Sequence, residues 1–251
     1  MTSLSGAVEQ ILTAQRKTRK PLAIVVAGHN GSGKSTMWRK SLSSQVRIPL
    51  VNADRMMMAV LPEPGSDGEL VEWARLLRDT DEGWMKVARE GVQAFVGHAM
   101  QAKVPFAFET VFSYWEPQPD GSVLSKLDLI SDMQKAGYFV LLIFVGLTDV
   151  DLSVLRVQSR IAENGHAVPP DRLLTRFPRT QQAINAAIKI ADAAILTDNS
   201  RDEKLAFTVC QVQLGDRRLF DIRDGGGRVS SLITKWLNVV SPPNQPAANN
   251  A

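Results

Sequence analysis

An apolar run followed by a glycine-rich loop is the feature that most constrains how this chain folds. Residues 21–28 read PLAIVVAG, and the loop that begins at Gly28 reads G-x-x-x-x-G-K-S and ends at Ser35. Glycines let such a loop turn tightly and point its N–H groups inward at phosphate oxygens, and a following helix adds the positive end of its dipole. The pattern predicts a buried strand, a phosphate-binding loop and a helix, with a nucleoside triphosphate as ligand.

The side chains of this loop have separate expected roles. Lys34 supplies positive charge for the β- and γ-phosphates, and Ser35 supplies a hydroxyl that can bind Mg²⁺. We expect the Lys34 side chain to face solvent from the loop. The residues predicted to bind the nucleotide are Gly28, Asn30, Gly31, Ser32, Gly33, Lys34, Ser35 and Thr36, with Ser35 as the metal ligand.

Strand-like and helix-like segments alternate along the chain. The predicted strands are 21–28, 48–54, 105–113, 138–147 and 192–200. The predicted helices between them include 69–102 with a possible break near residue 80, 122–137, 151–165, and one or two helices from residue 171 to 191. Five such alternations predict an α/β fold with a doubly wound, mostly parallel sheet.

The pattern changes after the fifth strand. Residues 205–222 are predicted to form a β-hairpin that turns near Gly215, and 229–240 a closing helix. The composition of 241–251, which is rich in Pro, Asn and Ala, predicts a disordered tail. We therefore expect one domain over residues 1–240.

Two acidic residues follow predicted strands and are candidates for acting on an acceptor hydroxyl. Asp54 ends the second strand and Glu109 lies at the end of the third. Ligands of open α/β sheets bind beyond the carboxyl ends of the strands. An acid after the second strand suits a base that takes the hydroxyl proton, which favours Asp54, with Glu109 as its rival. The alternative for either acid is a cap on the following helix.

Basic residues are concentrated between residues 152 and 190, where six stand against two acids. The six are Arg156, Arg160, Arg172, Arg176, Arg179 and Lys189. Spacings of three and four residues place arginines on one face of each predicted helix. Phosphoryl transfer needs donors that neutralise the transferred group, so we predict a lid at about 151–190 with Arg160 and Arg176 as catalytic residues. The alternative is a solvated helix face.

Composition limits the remaining classes of function. The net charge of +3 over 251 residues does not indicate a general nucleic-acid binder. The one cysteine, Cys210, cannot form an internal disulfide, and its expected place is a buried strand. No apolar stretch approaches the roughly 18 residues of a membrane span. The sequence thus predicts a cytoplasmic protein that acts on a small molecule.

Taken together, the motifs resemble those of a known family, the zeta toxin-like P-loop kinases. The matching pieces occur in family order over about residues 20–200 and are AGHNGSGKST, VNAD, FETVFS, GYFVLLIFVGL, RVQSRIAENGHAVPPDRLLTRFPR and ADAAILTDNS. The set is specific, above all the pattern R-x-x-x-R-x-x-x-x-G-H-x-V-P.

The resemblance implies a function and a set of site residues. The family's best-understood members use ATP and Mg²⁺ to phosphorylate the 3′-hydroxyl of UDP-N-acetylglucosamine, and some are toxins opposed by a small antitoxin protein. By resemblance Lys34 and Ser35 bind ATP and magnesium, and Asp54 is the catalytic base. The residues placed at the acceptor or its phosphates are Asn52, Glu109, Thr110 and His166.

Two other functions are compatible with the same residues. One is a kinase whose acceptor is another metabolite or nucleotide, because the regions at 69–102 and the C-terminal hairpin vary widely in such families. The other is an interaction module that uses ATP as a switch and has no acceptor. Asp54 distinguishes the switch from a kinase, since a switch needs no base aimed at a hydroxyl.

Overall fold

Seven strands form one central sheet, and the glycine-rich loop leaves it near its centre. A computed structural model describes residues 2–162, 168–226 and 229–243 of the protein. The strands of the central sheet are β1 (Leu22–Gly28), β2 (Leu50–Val51), β3 (Phe106–Thr110), β6 (Phe139–Gly146), β7 (Ala193–Asp198), β8 (Thr208–Leu214) and β9 (Arg217–Asp221). Their order is β2-β3-β1-β6-β7-β8-β9. A separate antiparallel pair joins β4 (Trp115–Pro117) to β5 (Val123–Ser125).

The sheet is mostly parallel, as the alternating pattern predicts. Strands β2, β3, β1, β6 and β7 run parallel to one another. Strands β8 and β9 then continue the sheet antiparallel, as the predicted hairpin, with Gly215 in the turn at φ 55°. The buried Cys210 lies in β8, where it was expected. In an open parallel sheet the carboxyl ends of the strands share one edge, so the loops after β1, β2 and β3 come together there.

Helices cover both faces of the sheet, which is the doubly wound arrangement. They are α1 (Leu4–Thr18), α2 (Lys34–Met37), α3 (Ser43–Val46), α4 (Ala53–Ala59), α5 (Glu72–Thr80), α6 (Glu82–Ala102), α7 (Leu127–Lys135), α8 (Val150–Ala162), α9 (Pro170–Ile190) and α10 (Ser231–Val240). A π-helical turn, Trp38–Leu42, joins α2 to α3. Helix α1 and the 34–46 helical segment pack on one face, while α6, α9 and α10 pack on the other.

Strands β1 and β6 are buried along their whole length because both faces are covered. This is why they read as continuous apolar runs rather than as alternating ones. Burial of each large aliphatic side chain contributes about 1.5–3 kcal/mol, so these two strands hold the site edge in a fixed position.

Two predicted elements differ from the structure. The predicted strand 48–54 is ordered as a strand only at β2, because Asn52 accepts a hydrogen bond from the Arg55 N–H and caps α4. Asp54 therefore lies in the first helical turn and not at a strand end. The predicted helix 122–137 begins only at α7, since its first residues pair with β4 as β5. Cross-strand pairing overrides the helical pattern there.

Other boundaries agree with expectation. The break near residue 80 is present, since Asp81 ends α5 and caps α6 by accepting from the Trp84 N–H. Residues 170–190 form one helix, with Pro178 inside it. Of the predicted tail, only residues 241–243 lie within the described part. Among the residues that are described, no helix is both long and apolar enough to cross a membrane.

Candidate active site

The glycine-rich loop adopts a conformation suited to an anion. Gly31 and Gly33 have φ values of 69° and 91°, a region that side chains with a Cβ rarely adopt. A Cβ on Gly33 would also lie 2.7 Å from Nδ2 of Asn199, so the loop has no room for one. Successive N–H groups in such turns form a concave anion-binding site, and the helical segment that begins at Lys34 continues it.

Lys34 lies in this loop but does not face solvent as the sequence led us to expect. The residue is only 8 % exposed. Its ammonium donates hydrogen bonds to the carbonyls of Gly28 at 3.0 Å and His29 at 2.9 Å. The reason for the difference is that a charged group inside a closed loop finds acceptors on the loop backbone.

Three charged side chains that are distant from Lys34 in sequence act on its ammonium. Burial lowers the pKa of Lys34, the carboxylate of Glu109 opposes that shift, Arg160 adds to it, and Asp54 also opposes it. Each of these three side chains is thus close enough to act on the loop lysine. The sheet edge places two candidate acids near the phosphate loop, and helix α8 adds one candidate arginine.

Ser35 and Glu109 are in direct contact. The Ser35 hydroxyl lies 2.9 Å from both carboxylate oxygens of Glu109 and donates to them. The register of the sheet explains the contact, since Thr110 pairs with Ala27 and Glu109 with Val26, next to the start of the loop. Glu109 therefore lies against the residue predicted to bind the metal. Hydroxyl and carboxylate oxygens are the hard ligands that Mg²⁺ prefers, so the pair fits this ion.

At this site most ligands of a magnesium ion would come from nucleotide phosphates and water and few from the protein. Within residues 2–162, 168–226 and 229–243, no group of three or more His, Cys, Asp or Glu side chains could hold a metal ion. Mg²⁺ commonly binds through one or two carboxylates together with nucleotide phosphates and water. The Ser35–Glu109 pair matches that pattern.

Asp54 is exposed in the first turn of α4. The side chain that caps this helix is Asn52, so the alternative role of a helix cap does not apply to Asp54. Asn52 is buried, and its amide oxygen is used by the cap. Of Asp54 and Glu109, Asp54 is therefore the acid with no hydrogen-bonded side-chain partner among the described residues, and its exposed carboxylate can meet an incoming molecule.

Thr110 is buried at the end of β3 and is engaged within the protein. Its hydroxyl oxygen accepts from the Phe112 N–H at 3.1 Å and from the ammonium of Lys126. This places Lys126, which follows β5, at the same edge as Asp54 and Glu109. The ammonium also lies 5.4 Å from the centroid of the Phe108 ring.

Lys126 is a site residue that the sequence analysis missed. In the described part of the chain no carboxylate forms an ion pair with it. Burial lowers its pKa to about 8, helped by the positive charges of Arg176 and Lys34. Burial and nearby positive charges disfavour the charged form of a lysine, and a bound anion favours it. In the sequence, Lys126 is marked only by its position beside the start of an apolar helix. Lysines at such positions are too common to identify a site residue.

The predicted lid corresponds to α8 and α9, and both helices touch the phosphate loop. The Ser153 hydroxyl donates to the Asn30 carbonyl at 2.7 Å. Arg156 and Arg176 are half-buried, whereas the other described arginines of the segment, Arg160, Arg172 and Arg179, are exposed. Burial lowers the pKa of Arg176, and the charge of Arg172 lowers it further. His166, predicted to contact phosphate, lies outside the described residues.

The comparisons with known proteins address the fold. No family model matches the sequence. A protein of Haemophilus influenzae described as uncharacterised is 23% identical over 155 residues, which is 62% of this chain and 91% of that protein.

Two solved structures are similar along most of the chain. One is from a study of the PezAT chromosomal toxin–antitoxin system of Streptococcus pneumoniae, with a TM-score of 0.52, 14% identity, and coverage of 95% of this chain and 94% of that one. The other is AvrRxo1-ORF1:-ORF2 with ATP, with a TM-score of 0.56, 12% identity, and coverage of 97% and 71%. The fold that the motif resemblance implies is thus confirmed, and the chain shares its α/β fold with these two structures.

Proposed function

We propose that this protein is an ATP-dependent kinase that transfers the γ-phosphate to a hydroxyl group, with UDP-N-acetylglucosamine as the acceptor. The observation that supports the reaction type is the contact of Glu109 with Ser35 of the phosphate loop, beside Lys34, whose ammonium is also influenced by the charges of Asp54 and Arg160. Under this proposal residues 1–240 form a single kinase domain with a lid at about 151–190. The identity of the acceptor is inferred from the family that the motifs resemble.

Each side chain at the sheet edge has a role in such a transfer. The loop N–H groups and Lys34 bind the nucleotide phosphates, with Lys34 exchanging the Gly28 and His29 carbonyls for phosphate oxygens. Asp54 accepts the proton of the attacking hydroxyl or orients that hydroxyl. Arg160 and Arg176 neutralise charge on the transferred group.

Ser35 and Glu109 are the residues that would hold magnesium. The ion supplies positive charge that neutralises the phosphate oxygens during transfer. The direct contact between the two side chains favours this role for Glu109 over a contact with the acceptor, and it leaves Asp54 as the proton acceptor.

The acceptor would bind on the β2–β3 side of the phosphate loop. Asp54 follows β2, Thr110 ends β3, and Lys126 is held on Thr110. A UDP-sugar carries a diphosphate, and Lys126 is a half-buried cation at this position with no carboxylate partner in the residues described. We assign Lys126 to the charged part of the acceptor.

Lys126→Met should raise KM for the acceptor about ten- to hundredfold and leave KM for ATP unchanged, because one charge-assisted hydrogen bond is worth about 1.5–3 kcal/mol. The wild-type KM should also rise as the pH passes about 8, since Lys126 is protonated below its pKa and neutral above it. Steady-state kinetics from pH 7 to 9 would measure both effects. Lys135→Met, which removes an exposed lysine of α7, is the matched control. A rise in KM for ATP alone would place Lys126 on the nucleotide.

A protein partner is a further part of the proposal. The similar structures come from a toxin–antitoxin system and from an ORF1:ORF2 complex. We propose by analogy that a small antitoxin protein binds this chain. The reaction is placed in the cytoplasm, where the single buried thiol of Cys210 stays reduced.

The proposal is tested by incubating the protein with ATP, Mg²⁺ and a panel of acceptors, and by reading the products by mass. The panel contains UDP-sugars, free nucleotides and neutral sugars. We expect one added phosphoryl group on UDP-N-acetylglucosamine. Phosphorylation of another panel member would support the kinase function and show that the acceptor is a different molecule. ATP hydrolysis with no phosphorylated acceptor would favour the ATP-dependent switch.

A further inference from the structure

His29 of the phosphate loop is stacked on a side chain of the lid. Its ring lies 3.9 Å from the ring of Phe177 in α9, with an angle of 12° between the planes, and it meets Phe144 of β6 edge-on at 5.5 Å. His29 is 2 % exposed. The sequence gives no reason to single out His29, because it occupies a variable position of the loop motif.

The contacts of the imidazole within the described part of the chain are packing contacts. Neither ring nitrogen has a partner among the residues that the structure describes, although both are buried. A buried polar group without a partner costs free energy, so its position must be stabilised by something else. The stacking contact with Phe177 is the interaction that stabilises the ring at this position.

The stack lies next to the arginine predicted to act on phosphate. Arg176 precedes Phe177 in α9 and lines the same narrow cleft as His29. One turn later Thr180 faces the end of β3, and its hydroxyl lies 3.4 Å from the carbonyl of Val111. The same hydroxyl donates to the Arg176 carbonyl within α9 at 2.9 Å, so the stack of His29 on Phe177 is the main attachment of α9 to the loop beside Arg176.

We propose that His29 and Phe177 are a positioning pair that couples the lid helix α9 to the phosphate loop and thereby sets the place of Arg176. The pair works only while the imidazole is neutral, because the stack lies in a dry and electropositive place. Its kinetic consequence rests on the proposed kinase function. The contact itself does not, and it can be measured without turnover.

The sign of the pH dependence follows from the groups around the ring. Burial lowers the pKa of His29 from 6.5 to about 3, and the charge of Lys34 adds to the shift. Among the described residues, the charged side chains on the elements that pack here are Lys34 in the loop, Arg176 on α9 and Arg156 on α8 beside Gly31, whereas Ser153 of α8 and Phe144 of β6 are uncharged. When α9 moves away, the ring regains an ordinary pKa. The ratio of stacked to unstacked protein therefore falls by up to tenfold for each pH unit between about 6.5 and 3.

NMR titration of the histidine side chains tests the contact directly. The chain has three histidines, and the His29 signal is assigned by its loss in His29→Phe. In the wild-type protein this signal should stay at its neutral position from pH 8 to 5.5. In Phe177→Leu it should titrate near pH 6.5, with thermal unfolding as the control for folding. Titration near 6.5 in the wild type would overturn the proposal.

Kinetics then test what the contact does. His29→Leu, which keeps apolar volume but removes the flat ring, should lower kcat about three- to tenfold at pH 8 with little change in KM for ATP. His29→Phe, which keeps a flat ring at this position, should restore kcat to near the wild-type value. Equal rates for His29→Leu and the wild type at every pH would show that the stack does not position Arg176. Absence of turnover in all three proteins would contradict the kinase function and leave the NMR result standing.

Discussion

Asp54→Asn should lower kcat by about 10²–10⁴-fold and leave ATP binding intact. The substitution keeps the shape of the side chain and removes the charge that accepts a proton. Asp54 is exposed at the acceptor edge and does not cap its own helix, so the change should not affect folding. Steady-state kinetics and ATP titration would separate the loss of rate from the loss of binding.

Two further variants make the Asp54 result specific. Asp128→Asn makes the same change at an exposed acid in the first turn of α7 and should have no effect. Glu109→Gln should raise the Mg²⁺ concentration needed for turnover, because Glu109 contacts Ser35. A loss of ATP affinity in Asp54→Asn would instead assign Asp54 to the metal, and Glu109 would then become the candidate base.

Lys34→Ala should reduce kcat/KM by about 10²–10³-fold and weaken ATP binding. The ammonium is the buried cation of the loop, and among the described residues its hydrogen-bond partners are backbone carbonyls, which phosphate oxygens can replace. Stability should not fall, because burial already lowers the pKa of this lysine and its removal relieves that cost.

Lys40→Ala is the matched control for Lys34→Ala, since Lys40 follows in the same helical segment and forms only a surface ion pair with Glu203. It should turn over at the wild-type rate, because exposed pairs contribute about 0–1 kcal/mol. Native turnover in Lys34→Ala, measured with the same protein preparation and checked by thermal unfolding, would contradict the phosphate-loop assignment.

The fold could be predicted from the sequence wherever strands are buried on both faces. Strands β1 and β6 read as unbroken apolar runs because helices cover both of their faces. The two errors have local causes. Asn52 acts as a helix cap inside what reads as a strand, and β5 depends on pairing with β4, which the helical pattern of its own residues does not reveal.

The candidate site was predictable where a motif or a strand end marks a residue. Lys34, Ser35 and Glu109 belong to that group, and Asp54 lies close to its expected place, in the helical turn that follows β2. The contact of Ser35 with Glu109 depends on the register between β1 and β3, and the stack of His29 on Phe177 depends on how α9 packs. Lys126 reaches the site only because a small hairpin returns it to Thr110. Such long-range placements are set by packing and carry no local pattern.

The central claim is that the γ-phosphate moves to a hydroxyl, and ³¹P NMR of the reaction follows that atom directly. The protein is mixed with ATP, Mg²⁺ and UDP-N-acetylglucosamine, with Asp54→Asn in parallel. We predict that the γ-phosphate signal is replaced by a phosphomonoester signal on the acceptor in the wild type, and that this replacement is strongly slowed in Asp54→Asn. Conversion of the γ-phosphate to inorganic phosphate alone, at the same rate in both proteins, would contradict the account.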